Sequence, residues 1–221
     1  MDFLFHDRID AGRQLAGSLL HHAGRPGLLI LALPRGGVPV AREIAHVLDA
    51  PMDVFVVRKL GVPGQEELAM GAIATGNIRV LNSEVVEGLQ IPPEVIEQVT
   101  AAEQRELERR EAAYRGDRPP PEIQGRRVIL ADDGLATGAT MRAAVAAVRR
   151  QQPSFVGVAV PTAAQETSAD FENEVDEIVC AATPEPFWGV GRWYADFPQM
   201  TDQEVHELLE QTRQDQDQGI A

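Results

Sequence analysis

An apolar run, Val128 to Ala131, ends in two adjacent carboxylates, Asp132 and Asp133. A small-residue loop, Gly134 to Ala139, follows and opens a helix. Such a loop suits an anion, because unpaired backbone N–H groups and the helix dipole both favour negative charge there. Thr137, Gly138, Ala139 and Thr140 bring small side chains and hydroxyls, which fits a phosphate monoester. The two acids would repel that phosphate. They make sense with a ligand whose other end carries hydroxyls, since carboxylates accept hydrogen bonds from a vicinal diol directly or through hydrated Mg²⁺. A sugar phosphate meets both demands.

Two further places carry unusual residues. In Pro34-Arg35-Gly36-Gly37 the glycines let backbone approach an anion and Arg35 brings positive charge. Arg58 and Lys59 end another apolar run; such cations are commonly just solvated, but here they are candidates for covering an anion. Glu66 and Glu67 read as the start of a short helix toward Met70. His6, His21, His22, His46 and His206 show no metal-ligand spacing and are expected in surface or packing roles. Trp188, Trp193 and Tyr194 cluster in an aromatic-poor chain, as a packing satellite, a dimer contact or an aromatic wall for a ligand.

Periodicity places these residues on elements. A helix is expected from Asp7, its N-cap, to His22, with Ile9, Leu15, Ala16, Leu19 and Leu20 at helical spacing. Leu28 to Leu33 reads as a strand buried on both faces. A helix follows, with Val40, Ile44, Val47 and Leu48 on one side, then a strand from Asp53 to Arg58. This βαβ succession implies a parallel sheet. Lys59 to Gly71 reads as a glycine-bearing loop, and the short strands around Gly76-Asn77 as a hairpin.

Glu94 to Arg115 is a charged helix with the pairs Glu106–Arg110 and Glu111–Arg115; its second half is expected to be solvated or partner-facing. A proline-rich break leads to the strand at Val128 and a helix with Met141, Val145 and Val148 inward. Strands at Phe155–Val160 and Glu177–Ala182 flank a helix near residues 163–173. A last helix, Asp202 to Gln211, precedes a polar end expected to fray. The fold class is α/β, with four or five mainly parallel strands flanked by helices. Ligands of such sheets gather at the carboxyl ends of strands. The loops after Leu33, Arg58 and Ala131 all leave such ends.

The chain has 221 residues, 44% of them hydrophobic, enough for one substantial α/β domain with an elaboration, or for two small ones. Its net charge of −14 disfavours nucleic acid, which needs basic surface. The lone Cys180 rules out a disulfide framework within the chain and reads as a buried strand thiol. The opening residues have no signal-peptide pattern, and no stretch approaches a membrane span. A cytoplasmic protein with no membrane partner is expected.

The stretch Val128 to Thr140 resembles the phosphoribosyl pyrophosphate (PRPP) signature of type I phosphoribosyltransferases: an apolar strand, two acids, two mostly aliphatic positions, then a small-Thr-Gly-small-Thr loop. Gly134 departs from it, standing where an aliphatic residue is usual, and is expected to loosen the turn. Leu33 to Gly37 resembles the family's pyrophosphate loop, sometimes built with a non-proline cis peptide. Arg58 to Ala74 occupies the position of its flexible catalytic loop. The stretches DRIDAGRQLA, ALPRGGVPVA, VRKLGVPG, ELAMGAIA, DDGLATGATM and VGRWYADF look like a bacterial and archaeal group of that family.

The resemblance implies one phosphoribosyltransferase-like domain over residues 1–221, with a helical insertion at 78–120 and a hood or tail at 184–221. It also implies transfer of the phosphoribosyl group to a nitrogen acceptor with loss of pyrophosphate. Asp132 and Asp133 would then bind ribose hydroxyls and, indirectly, Mg²⁺. Ala136, Thr137, Gly138, Ala139 and Thr140 would bind the 5-phosphate, and Arg35, Gly36 and Gly37 the pyrophosphate. Arg35, Arg58 and Lys59 would be the cations of the reaction, and Trp188, Trp193 and Tyr194 the acceptor wall. A homodimer is implied by analogy. The competing readings are a non-catalytic PRPP sensor and a sugar-phosphate hydrolase.

Overall fold

A computed structural model describes residues 3–218; only residues 1–2 and 219–221, at the ends of the expected 1–221 domain and of its 184–221 tail, lie outside them. Five strands form one parallel sheet: β1 (Leu28–Ala32), β2 (Met52–Val54), β6 (Arg127–Ala131), β7 (Phe155–Thr162) and β8 (Glu177–Ala182). Their order is β2-β1-β6-β7-β8. β1 and β6 run in register, with Ile30 opposite Ile129 and Ala32 opposite Ala131. All five residues of β1 are buried, because helices cover both faces of the sheet. From β1 the chain crosses to β2 on one side, and β6 lies on the other. The gap between β1 and β6 is therefore the topological switch point, where a cleft must open.

Helix α1 (Arg8–Ser18) is capped by Asp7, whose carboxylate accepts from the Asp10 N–H. It stops earlier than His22; a separate 3₁₀ turn spans Leu20–His22. Helix α2 (Gly37–Leu48) buries Val40, Ile44 and Leu48, whereas Val47 faces outward. Helix α5 (Ala139–Arg150) buries Met141, Val145 and Val148, as its spacing requires. Helix α6 (Gln165–Phe171) joins β7 to β8.

The strand expected over Asp53–Arg58 is two strands. β2 ends at Val54, and the buried Phe55 and Val56 carry the chain out of the parallel sheet. β3 (Val57–Val62), β4 (Gln65–Ala74) and β5 (Ile78–Leu81) then form a separate antiparallel sheet. The expected loop over Lys59–Gly71 is thus a hairpin turning at Pro63-Gly64, and Glu66 and Glu67 lie in a strand rather than a helix. Pairing with β3 overrides the local helix preference of Glu-Glu-Leu-Ala-Met. The second turn does fall at Gly76-Asn77.

Residues 78–120 hold β5, α3 (Ser83–Gly88) and α4 (Pro93–Arg115). Both expected ion pairs on α4 are present. Its second half is solvated on one side only: Arg105, Glu108, Arg109 and Ala112 are exposed. Leu107 and Tyr114, two turns apart on one face, are buried in the same core as Val205 and Leu209 of the last helix, α7 (Asp202–Gln218). Arg115 is buried too, donating to the Thr75 hydroxyl at 3.1 Å and ion-paired to Asp53 and Glu111. Helix α7 (Asp202–Gln218) continues beyond Gln211. Cys180 is half-buried in β8, its Sγ 3.2 Å from the Ala182 carbonyl oxygen, and burial pushes its thiol pKa up.

Candidate active site

The two motif loops leave adjacent strands, β1 and β6, at the switch point, and they touch. A Cβ placed on Gly36 would come within 1.9 Å of Asp133 Oδ2, and one on Gly37 within 2.6 Å of the Ala131 carbonyl oxygen. The two glycines are required because the loop after β1 lies directly on the acid pair. The Pro34–Arg35 peptide is cis. Helix α5 has no side-chain cap at its N-terminus, so it presents uncapped backbone N–H groups at this end of the sheet; in the first turn of α2 the Gly37 and Val38 N–H groups already donate to the Leu33 and Arg35 carbonyls, and Pro39 has no N–H.

The loop after β6 is pinned by its carbonyls. The Ala136 oxygen accepts from the Thr167 hydroxyl at 2.7 Å and the Thr137 oxygen from the Arg142 guanidinium at 2.8 Å. Peptide planarity then points the N–H groups of Thr137 and Gly138 away from those partners. Gly138 sits at φ 73°, where glycine is unstrained, and a Cβ there would meet Phe171 at 2.7 Å. Ala136, Thr137, Ala139 and Thr140 are exposed. Together these features make a lined anion cradle at the head of α5. Gly134 does not act as a loosened turn: its place is crowded, a Cβ there lying 2.6 Å from Val190 and 3.1 Å from the Thr162 oxygen.

Asp132 and Asp133 share a strained electrostatic setting. Burial raises the Asp132 carboxyl well above the ordinary range, and the adjacent Asp133 charge adds to it. Burial likewise raises Asp133, while Arg8 opposes the shift. Asp132 Oδ1 accepts from the Asp133 N–H at 2.8 Å. Arg8 Nε donates to Asp133 Oδ2 at 2.9 Å, and the Arg8 guanidinium carbon lies 3.7 Å from the centre of the Phe197 ring. Another Arg8 nitrogen donates to the Pro198 carbonyl.

The expected cations are placed differently from one another. Arg35 stands in the loop against Asp133, its guanidinium 3.7 Å from Asp202 at the start of α7. That carboxylate also accepts from the Tyr114 hydroxyl and Arg109, and burial together with Asp202 pushes Tyr114 up to about 12. Arg58 and Lys59 lie on β3, paired with Glu103 of α4 at 2.6 Å and Glu67 of β4 at 3.3 Å. Their partners are therefore on the second sheet and α4, not in the two loops.

The aromatic cluster divides as well. Trp188 is 66% exposed, with Arg192 over its ring. Tyr194 is buried with Phe5 and Ala11, so its ring is packing, and its hydroxyl donates to the Asp133 carbonyl at 2.6 Å. The Trp193 carbonyl accepts from the Leu4 and Phe5 N–H groups, joining the N-terminal segment to the tail. Sequence reasoning did not single out Arg8 or Phe197. Both sit inside stretches that carried the family resemblance, which was the available signal.

A family model, the phosphoribosyl transferase domain, matches residues 5–192. Two proteins from strains of Mycobacterium tuberculosis, each provisionally named a phosphoribosyl transferase, are 45% identical to this chain over 212 residues; the match covers 96% of the chain and 48% of each relative. The chain thus spans about half the length of the curated relatives it matches. A Thermus thermophilus protein of known crystal structure is similar at a TM-score of 0.85 and 38% identity, over 96% of this chain and 99% of that one. Among the described residues, no helix is long and apolar enough to cross a membrane. With the acid pair, the small-residue cradle and the glycine loop gathered at one switch point, the chain belongs to the phosphoribosyl transferase domain family.

Proposed function

We propose that this chain transfers the phosphoribosyl group of PRPP to a nitrogen acceptor, in the first instance a nucleobase, with release of pyrophosphate. The observation that carries this reading is the contact between the two loops: the Asp133 carboxylate lies directly over Gly36, between the Arg35-bearing glycine loop and the uncapped head of α5. One ligand with a phosphate at each end and a diol between them matches that order of anion, acid and anion sites.

In this reading the cradle at Ala136–Thr140 holds the 5-phosphate, and Asp132 and Asp133 accept the ribose hydroxyls. Gly36, Gly37 and Arg35 hold the pyrophosphate at the head of α2. The acceptor nitrogen attacks C1, the bond from C1 to the pyrophosphate oxygen breaks, and the nitrogen gives up its proton. The catalytic work is positioning and stabilisation of charge growing on the leaving group. Arg58 and Lys59 reach it only if their pairs with Glu103 and Glu67 open; this costs little for Lys59, whose partner is fully exposed, and more for Arg58, which holds the part-buried Glu103 through two nitrogens.

Two crowded carboxylates, each opposed in ionisation by burial, fit a hard cation with oxygen ligands. Bound there through Asp132 and Asp133, Mg²⁺ would offset charge on the pyrophosphate and ribose oxygens. The active form is taken to be a cytoplasmic homodimer, with Trp188 and Trp193 toward the acceptor.

Calorimetric titration with PRPP tests the assignment. The doubly substituted Asp132→Asn, Asp133→Asn chain is expected to bind at least tenfold more weakly, since each charge-assisted contact is worth about 1.5–3 kcal/mol. Equal affinity in the two proteins would remove the acids from the PRPP site.

A further inference from the structure

Far from the cleft, at the amino-terminal edge of the parallel sheet, two consecutive histidines converge on one carboxylate. His21 Nε2 lies 2.8 Å from Glu177 Oε1, and His22 Nε2 lies 2.7 Å from Glu177 Oε2. Consecutive residues of a helix do not normally face one another. Here the 3₁₀ turn at Leu20–His22 brings the two ring centres to 4.2 Å. The ligand atoms of the three residues all lie within 4.8 Å of one another.

We propose that His21, His22 and Glu177 form a binding site for a divalent first-row transition metal ion of the zinc class. Two imidazole nitrogens and one carboxylate oxygen are a three-ligand set that leaves a fourth position for water. The nitrogen donors favour this class over magnesium or calcium, which take oxygen. A small outward shift suffices, because bonds of about 2.0–2.2 Å to one ion need donor atoms somewhat further apart than a hydrogen bond.

The surroundings suit the role. The His22 side chain is 3% exposed, while His21 is 52% exposed and Glu177 29%, so the site is anchored on one side and open on the other. Phe155 at the head of β7 packs against the His22 ring, fixing its plane. Among the described residues His22 Nδ1 has no hydrogen-bond partner. The outer hydrogen bond that commonly strengthens a metal-binding histidine by about 10–100-fold is thus missing, so the site is weaker than one with a supported ligand. The ion would tie the end of the α1 region to the edge strand β8, away from the PRPP loops, so the site does not rest on the proposed reaction.

The test uses the full chain, stripped with a chelator and titrated with zinc chloride at neutral pH. One zinc per chain is expected, with X-ray absorption reporting two imidazole nitrogens and a carboxylate oxygen. The melting temperature is expected to rise by about 5–10 °C at a hundredfold excess of zinc over Kd. His21→Ala removes a half-exposed ring and Glu177→Gln keeps the hydrogen-bonding shape; each is expected to weaken zinc binding at least tenfold. No saturable zinc binding by the folded parent chain, or unchanged affinity in either variant, would overturn the proposal.

Discussion

Arg8 and Asp133, separated by 125 positions, form a 2.9 Å ion pair inside the candidate cleft. Their side chains are only 11% and 16% exposed, so this is not a screened surface bridge. The Arg8 guanidinium is also stacked on Phe197. Replacing Arg8 by Ala is expected to cost about 2–3 kcal/mol in urea unfolding at neutral pH, the worth of a charge-assisted bond with its ring contact. A double-mutant cycle with Asp133→Asn should return a coupling of about 1 kcal/mol or more. A coupling near zero would mean the contact does not constrain the loop.

The two glycines of the loop after β1 should fail in different ways. A Cβ on Gly36 meets the end of a side chain, Asp133, whereas one on Gly37 meets backbone, the Ala131 oxygen at 2.6 Å. Gly36→Ala is therefore expected to fold with little loss and to bind PRPP at least about tenfold more weakly, because the carboxylate is displaced. Gly37→Ala is expected to lose about 1–3 kcal/mol of stability, since β1 and β6 must separate. Melting curves and PRPP titrations of the two variants distinguish these outcomes; equal behaviour would contradict the account.

The acid pair carries a stability cost that should appear in its pH dependence. Burial and the Asp133 charge hold the Asp132 carboxyl above its ordinary range, so the folded chain binds that proton more tightly than the unfolded chain. The favourable contribution is then present below the ordinary carboxylate pKa and is lost as pH rises through the raised folded value. Asp132→Asn, which can still accept from the Asp133 N–H, is expected to be more stable than the parent by about 1 kcal/mol at neutral pH. The gain should shrink toward zero in acid. Urea unfolding across that range checks it, and a variant less stable than the parent at neutral pH would refute the reading.

Much of this arrangement was legible from local pattern. The strands β1 and β6, the helices α2 and α5, and the loops between them announce themselves by continuous apolar runs, helical spacing and glycine. The break between β2 and β3 did not. Asp53 to Arg58 has strand-like residues throughout, and only the transfer of Val57 to a second sheet divides it. Glu66 and Glu67 misled because antiparallel pairing decided their state. The buried face of α4 was hidden for another reason: Leu107 and Tyr114 are spaced two turns apart among charges, and Arg115 reads as surface until Asp53, Glu111 and Thr75 surround it. Contacts such as Tyr194 with Asp133, 61 positions apart, have no local signature at all.

The central claim is tested most directly by incubating the purified chain with Mg²⁺, PRPP and a panel of nitrogen acceptors, measuring pyrophosphate and reading the products by mass spectrometry. The account predicts pyrophosphate release only with a suitable acceptor, matched one for one by a phosphoribosylated product, and loss of both in the Asp132→Asn, Asp133→Asn chain. Tight PRPP binding with background release for every acceptor, or release without any acceptor, would contradict it in favour of a sensor or a hydrolase respectively.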